Sequence, residues 1–121
     1  MPQVSISPEE PFKAIGDRTR LRIVRLLAMM DQRISVSKLQ ETLDEPLSKV
    51  SRHLKQLRSA GVVELVAVGR WRYYQVNKSS AHVNHLMSAV LAMPDENGVF
   101  ADDLREAGFE HLAGSSAEVQ D

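Results

Sequence analysis

The sequence predicts a mostly α fold carrying a β-hairpin wing, a dimeric winged helix-turn-helix, and three observations lead to it. A short helix and a cationic amphipathic helix stand on either side of Asp44-Glu45-Pro46. A β-branched and aromatic hairpin, turning at Gly69-Arg70, follows at once. The positive charge is concentrated in this stretch: residues 33–78 hold nine basic side chains against four acidic, while residues 79–121 hold one against eight.

Each element has a local reason. Ser7-Pro8-Glu9-Glu10 reads as a helix start, with Ser7 as cap, Pro8 at the first helical position and Glu10 closing a capping box. That helix runs to about Ile15 and ends at Gly16. Asp17 caps a second helix, whose Leu21, Val24, Leu27 and Ala28 share one face as far as Met30, with Arg18, Arg22 and Arg25 beside it. After an extended stretch, Ile34-Ser35-Val36, a second capping box from Ser37 and Gln40 opens a two-turn helix with Leu39 and Leu43 inward. From Ser48, a good cap, Val50, Leu54 and Leu57 form one stripe, Ser51, Arg52, Lys55 and Arg58 lie off it, and Gly61 sits where a left-handed terminator belongs.

Residues 62–68 and 71–76 make the hairpin; Trp71, Tyr73 and Tyr74 read as its buried and half-buried faces, and alternation puts Trp71 and Tyr73 together. Residues 77–80 cap a last long helix with Val83, Leu86, Met87, Val90 and Leu91 on one face, halted by Pro94. A loop at 95–98, a short acidic helix over 101–107 and a disordered composition at 114–121 complete the chain. The expected organisation is a DNA-binding and dimerisation domain over 1–94 and an acidic, partly disordered extension over 95–121.

Composition excludes several functions. The 121 residues contain no cysteine, which removes disulfides, thiolate metal sites, cysteine nucleophiles and thiol redox switches together. No apolar run nears the ~18 residues of a membrane span, and the amino terminus lacks a secretion signal, so a cytoplasmic protein with no membrane partner is expected. There is no Gly-rich phosphate loop, no Gly-x-Ser-x-Gly and no His-Glu-x-x-His, so neither an enzyme nor a cofactor is expected. Net charge is −1, yet the basic middle block can attract phosphate and the acidic tail cannot.

The partner this pattern points to is double-stranded DNA. A helix fits the major groove and its first turns reach base edges, so Ser48, Lys49, Ser51 and Arg52 are candidate contacts, joined by His53 and Lys55, with Arg70 and Arg72 on the wing. A homodimer is expected through Phe12, Ile15, Val83, Leu86 and Val90, setting half-sites about 34–36 Å apart on a palindromic operator. One alternative stays open at this point: a winged helix serving only as a protein-interaction module, which salt dependence of DNA binding separates from a regulator.

Three motifs then carry a family resemblance. The runs from Phe12 to Ile23 (FKAIGDRTRLRI), from Val50 to Val63 (VSRHLKQLRSAGVV) and from Gly69 to Tyr74 (GRWRYY), in this order and with these gaps, resemble the ArsR/SmtB family of bacterial repressors over about residues 8–93. The resemblance implies a dimer whose first and last long helices pack together, an operator with two-fold symmetry, and repression relieved by an inducer. One departure is plain: where many metal-sensing members carry Cys-x-Cys, this chain reads Ser35-Val36-Ser37, and hydroxyls are poor ligands for soft metals. The resemblance also leaves open a zinc- or nickel-responsive repressor: on the dimer helix, His82 and His85 are one turn apart and are the weak metal candidates. The positions where the family's second ligand pair would fall are Met93 and Glu96, with Pro94 between, so no metal is assigned. The inducer is not named by the residues.

Overall fold

The computed structural model describes residues 7–95 and 97–108. Their elements run α1 (Glu9–Ile15), α2 (Arg18–Met30), β1 (Ile34–Ser35), α3 (Val36–Leu43), α4 (Leu47–Ser59), β2 (Val63–Val68), β3 (Trp71–Val76), α5 (Ala81–Leu91) and α6 (Val99–Ala107). The mostly α fold with a hairpin wing is the one that forms.

Local signals explain most boundaries. The Asp17 carboxylate accepts the Arg20 backbone N–H at 3.1 Å, and the Ser80 hydroxyl accepts that of Val83 at 3.2 Å, so both predicted caps are made. Gly61 closes α4 at φ 78°, a conformation that a Cβ disfavours. Three other caps differ. Ser35 rather than Ser37 caps α3, accepting from the Lys38 N–H at 3.0 Å, because Ser35 is still extended (φ −70°, ψ 154°) while Ser37 is already helical. Pro46 occupies the N-cap of α4, which places Ser48 inside the first turn with its hydroxyl free of capping duty. Pro8 likewise stands at the N-cap of α1, and Ser7 makes no side-chain cap.

The sheet is antiparallel in the order β1-β3-β2. β3 is its middle strand: Tyr74 pairs with Ile34 and Leu65, and Tyr73 with Ser35 and Val66. The wing is therefore hydrogen-bonded to the residues that lead into α3. One core joins Ile23, Val24 and Leu27 of α2, Leu39 of α3, Val50, Leu54 and Leu57 of α4, Val62, and Val90 of α5, all essentially without solvent contact.

The segment after Pro94 does not hang free as an extension over its described part. α6 packs on α2 and α3, and Ala107 joins the core. Asp103, buried, accepts from Arg22 Nε at 3.0 Å and Nη2 at 2.9 Å, a bidentate pair between α6 and α2. Arg25 Nη1 donates to the carbonyls of Val90 (2.7 Å) and Met93 (2.9 Å), satisfying the end of α5, and its guanidinium lies 4.3 Å from the Phe100 ring centroid. A boundary at residue 94 crosses this packed structure. The expectation for residues 114–121 lies outside the described residues.

Candidate nucleic-acid interface

α4 has two unlike faces. Its buried stripe is Val50, His53, Leu54 and Leu57; Ser48, Arg52 and Lys55 are exposed, and Lys49 and Ser51 half-buried. Lys49 Nζ lies 3.0 Å from Glu45 Oε1, so its charge is partly spent within the protein. Among the described residues no carboxylate lies within ion-pair distance of Arg52 or Lys55. These two cations are open to an outside anion.

His53 corrects the sequence reading. It is 7% exposed and faces α2 instead of solvent, with Nδ1 3.2 Å from Arg20 Nη1 and 3.9 Å from Asp17 Oδ2. Arg20 also donates to the Ala14 carbonyl and the Gln56 side chain, so one guanidinium ties α1, α2 and α4 together. Burial pushes the His53 pKa below its ordinary 6.5; Asp17 opposes that shift, and Arg20, Arg52 and Lys49 reinforce it. His53 is thus a neutral acceptor that seats the helix. The Asp17 carboxyl is itself held below its usual range, first by the Arg20 backbone N–H.

The sign of the resulting pH dependence is fixed. A histidine whose folded pKa lies below its unfolded one takes up protons on unfolding, so its contribution is complete above about 6.5 and declines as pH falls below that. Between pH 7.5 and pH 5.5 the urea midpoint should drop, and His53→Gln should flatten that drop. An equal drop in both proteins would remove His53 as the cause.

On the wing, Gly69 turns at φ 60°, and Arg70, Trp71 and Arg72 are exposed. Trp71 corrects the reading of a buried face: the inward side chains of β3 are Tyr74 and Val76, and no core reaches out to Trp71, which is 56% exposed. Tyr73 is half-buried beneath the Arg33 guanidinium, 4.8 Å away.

The candidate dimer residues also divide. Phe12 is 65% exposed and Ile15 half-buried, but Val83, Leu86 and Val90 face their own protomer's core at 3%, 7% and 0% exposure. Helical periodicity finds an apolar face without saying what covers it. The outward side of α5 includes His82, His85 and Ala89; with Pro8, Pro11 and Phe12 of the first helix region and the edges of Val83 and Leu86, they line a groove of about 490 Å³. His82 and His85 are exposed on that groove, and the described residues contain no group of three or more His, Asp or Glu placed to hold a metal. No described helix is long and apolar enough to cross a membrane.

A short helix, a turn, a cationic helix with one buried stripe and an arginine-bearing hairpin define a winged helix-turn-helix protein of the DNA-reading kind. Residues 15–66 match the model of a family described as a helix-turn-helix domain. The arsenic resistance transcriptional regulator ArsR2 of Pseudomonas putida is 33% identical over 100 residues, spanning 83% of this chain and 86% of that protein. The arsenical resistance operon repressor of Bacillus subtilis is 36% identical over 83 residues, spanning 69% and 76%. Among solved structures, the homodimeric winged helix-turn-helix DNA-binding domain of Mb0332 from Mycobacterium bovis superposes with a TM-score of 0.62 at 26% identity, covering 80% of this chain and 93% of that one. The chain belongs to the ArsR family of transcriptional regulators.

Proposed function

We propose that this chain is a repressor that binds a palindromic operator as a homodimer, each copy placing the start of α4 in a major groove with Ser48, Ser51, Arg52 and Lys55 toward the bases and phosphates. Lys49, already paired, adds less; Arg70 and Arg72 hold the neighbouring backbone from the wing. The observation that carries the reading is the division of α4, whose Ser48, Arg52 and Lys55 are exposed and Ser51 half-buried while Val50, Leu54 and Leu57 are fully buried. His53 leaves the contact set and becomes a positioning residue. The dimer forms through Phe12 and the outward face of α5, in place of Val83, Leu86 and Val90. The protein acts on cytoplasmic DNA and needs no catalytic group.

The names of the two relatives refer to arsenic, whose trivalent form wants thiolates. This chain has none, and its Ser35 hydroxyl is committed to capping α3. Its inducer therefore has a different chemistry.

The test uses a duplex selected from a random library by the full-length chain, followed by anisotropy across a salt series. Log affinity should fall linearly with log salt, by about 0.9 for each phosphate neutralised. Sedimentation should show a dimer that Phe12→Glu converts to monomer. Failure to select any duplex that resists competitor DNA would favour the protein-interaction module instead.

A further inference from the structure

We propose that Trp71, backed by Val68, is an apolar DNA contact on the wing, its indole lying against the deoxyribose edges of the minor groove while Arg70 and Arg72 hold phosphates. The inference rests on the proposed function and adds a contact of a different physical kind.

Val68 and Trp71 are register partners on the outermost rung of the β2–β3 ladder. They are 43% and 56% exposed, so neither is anchored in the core. The hairpin is held lower down, where Val63, Tyr74 and Val76 are buried, and its turn is made by Gly69 in the left-handed region. Nothing in the fold requires a tryptophan at the tip. Two large apolar groups left in water there find their use in something that comes to cover them.

Charge says what that is. Arg70, at the turn, and Arg72, on the opposite face of β3 from Trp71, are both exposed, so the tip carries a cation on either side of the indole. The hairpin's one carboxylate, Glu64, sits at the base and accepts from Gln75 Nε2 at 2.9 Å. An apolar centre with cationic flanks and no acid complements a wall of C–H-rich sugars between phosphates. Size limits the contact to side chains: a two-stranded ribbon is too wide for a minor groove about 6 Å across, so the tip lies along the groove and the indole alone reaches its wall. Continuity agrees too, because β3 is paired to β1, directly before α3. An apolar contact of this kind carries no counterion term, so its signature differs from that of an arginine.

The chain's single tryptophan makes the test specific, since its intrinsic fluorescence reports this residue alone. With the full chain and the library-selected duplex, saturation followed by anisotropy should be accompanied by an emission shift and a fall in acrylamide quenching. Trp71→Ala should weaken binding by roughly tenfold, as for an interface aromatic, with the salt slope unchanged, and Trp71→Phe should restore most of it. Arg70→Ala should instead lower the slope by about 2, one phosphate in each half-site. Thermal unfolding of Trp71→Ala should match the parent, which separates lost contact from lost fold. Saturated binding with acrylamide access unchanged overturns the inference and leaves the proposed function standing. Protection that appears on concentrating the protein without DNA overturns it in favour of a contact between copies, and absence of binding to any duplex overturns both readings.

Discussion

Arg52→Ala is expected to weaken operator binding by about 2–6 kcal/mol, twice the 1–3 kcal/mol of one specific base contact, because a dimer makes the contact in both half-sites. Arg52 is exposed and off the buried stripe, so unfolding transitions should not move. The loss should be selective: the base pair facing Arg52 becomes interchangeable, while binding to unrelated duplexes falls only by a phosphate's share. Lys49→Ala should do much less, since Lys49 already holds Glu45 and part of its charge is cancelled before DNA arrives. Competition between the selected duplex and one-base variants measures this directly, and a variant that keeps the parent's preference would remove Arg52 from the reading surface.

Asp103→Ala is expected to cost about 3–5 kcal/mol of folding stability, the usual result of orphaning one member of a buried ion pair. Asp103 is 4% exposed, and Arg22, half-buried, would lose both of the hydrogen bonds that satisfy its guanidinium. Against a total of about 5–15 kcal/mol for a domain of this kind, that is a large share. Replacing both partners by apolar residues should recover much of it. Truncation after residue 94 should therefore unfold the protein rather than merely remove acidic charge. Urea midpoints decide the matter, and an Asp103→Ala protein as stable as its parent would show that the Arg22–Asp103 pair does not hold α6 in place.

What could be read beforehand was whatever local chemistry decides. Asp17, Ser80 and Gly61 fix helix ends by side-chain or backbone geometry that neighbours in sequence suffice to define. The order of short helix, cationic helix and hairpin was legible for the same reason. The burial of His53 was legible and missed: positions 50, 53, 54 and 57 are a complete helical stripe, and residue type outweighed position. Val83, Leu86 and Val90 were correctly seen as one apolar face, but a single sequence does not say whether such a face meets its own core or another copy. The role of Asp103 was hidden because its partner, Arg22, stands 81 residues away, and counting charge treats a neutralised carboxylate as a repelling one. Trp71 was misplaced because alternation gives two faces without saying which of them meets the core.

The position of β3 between β1 and β2 has a consequence for the DNA itself. A wing tied through that strand to the residues opening α3 cannot swing on its own; recognition helix and hairpin behave like the two jaws of a fixed caliper. On the proposed function, the distance between the base pairs under α4 and those under the wing is then set by the protein, and the duplex must adapt to it. Steps that deform easily, TA or CA/TG, should be favoured between the two, so that operators share bases no side chain touches.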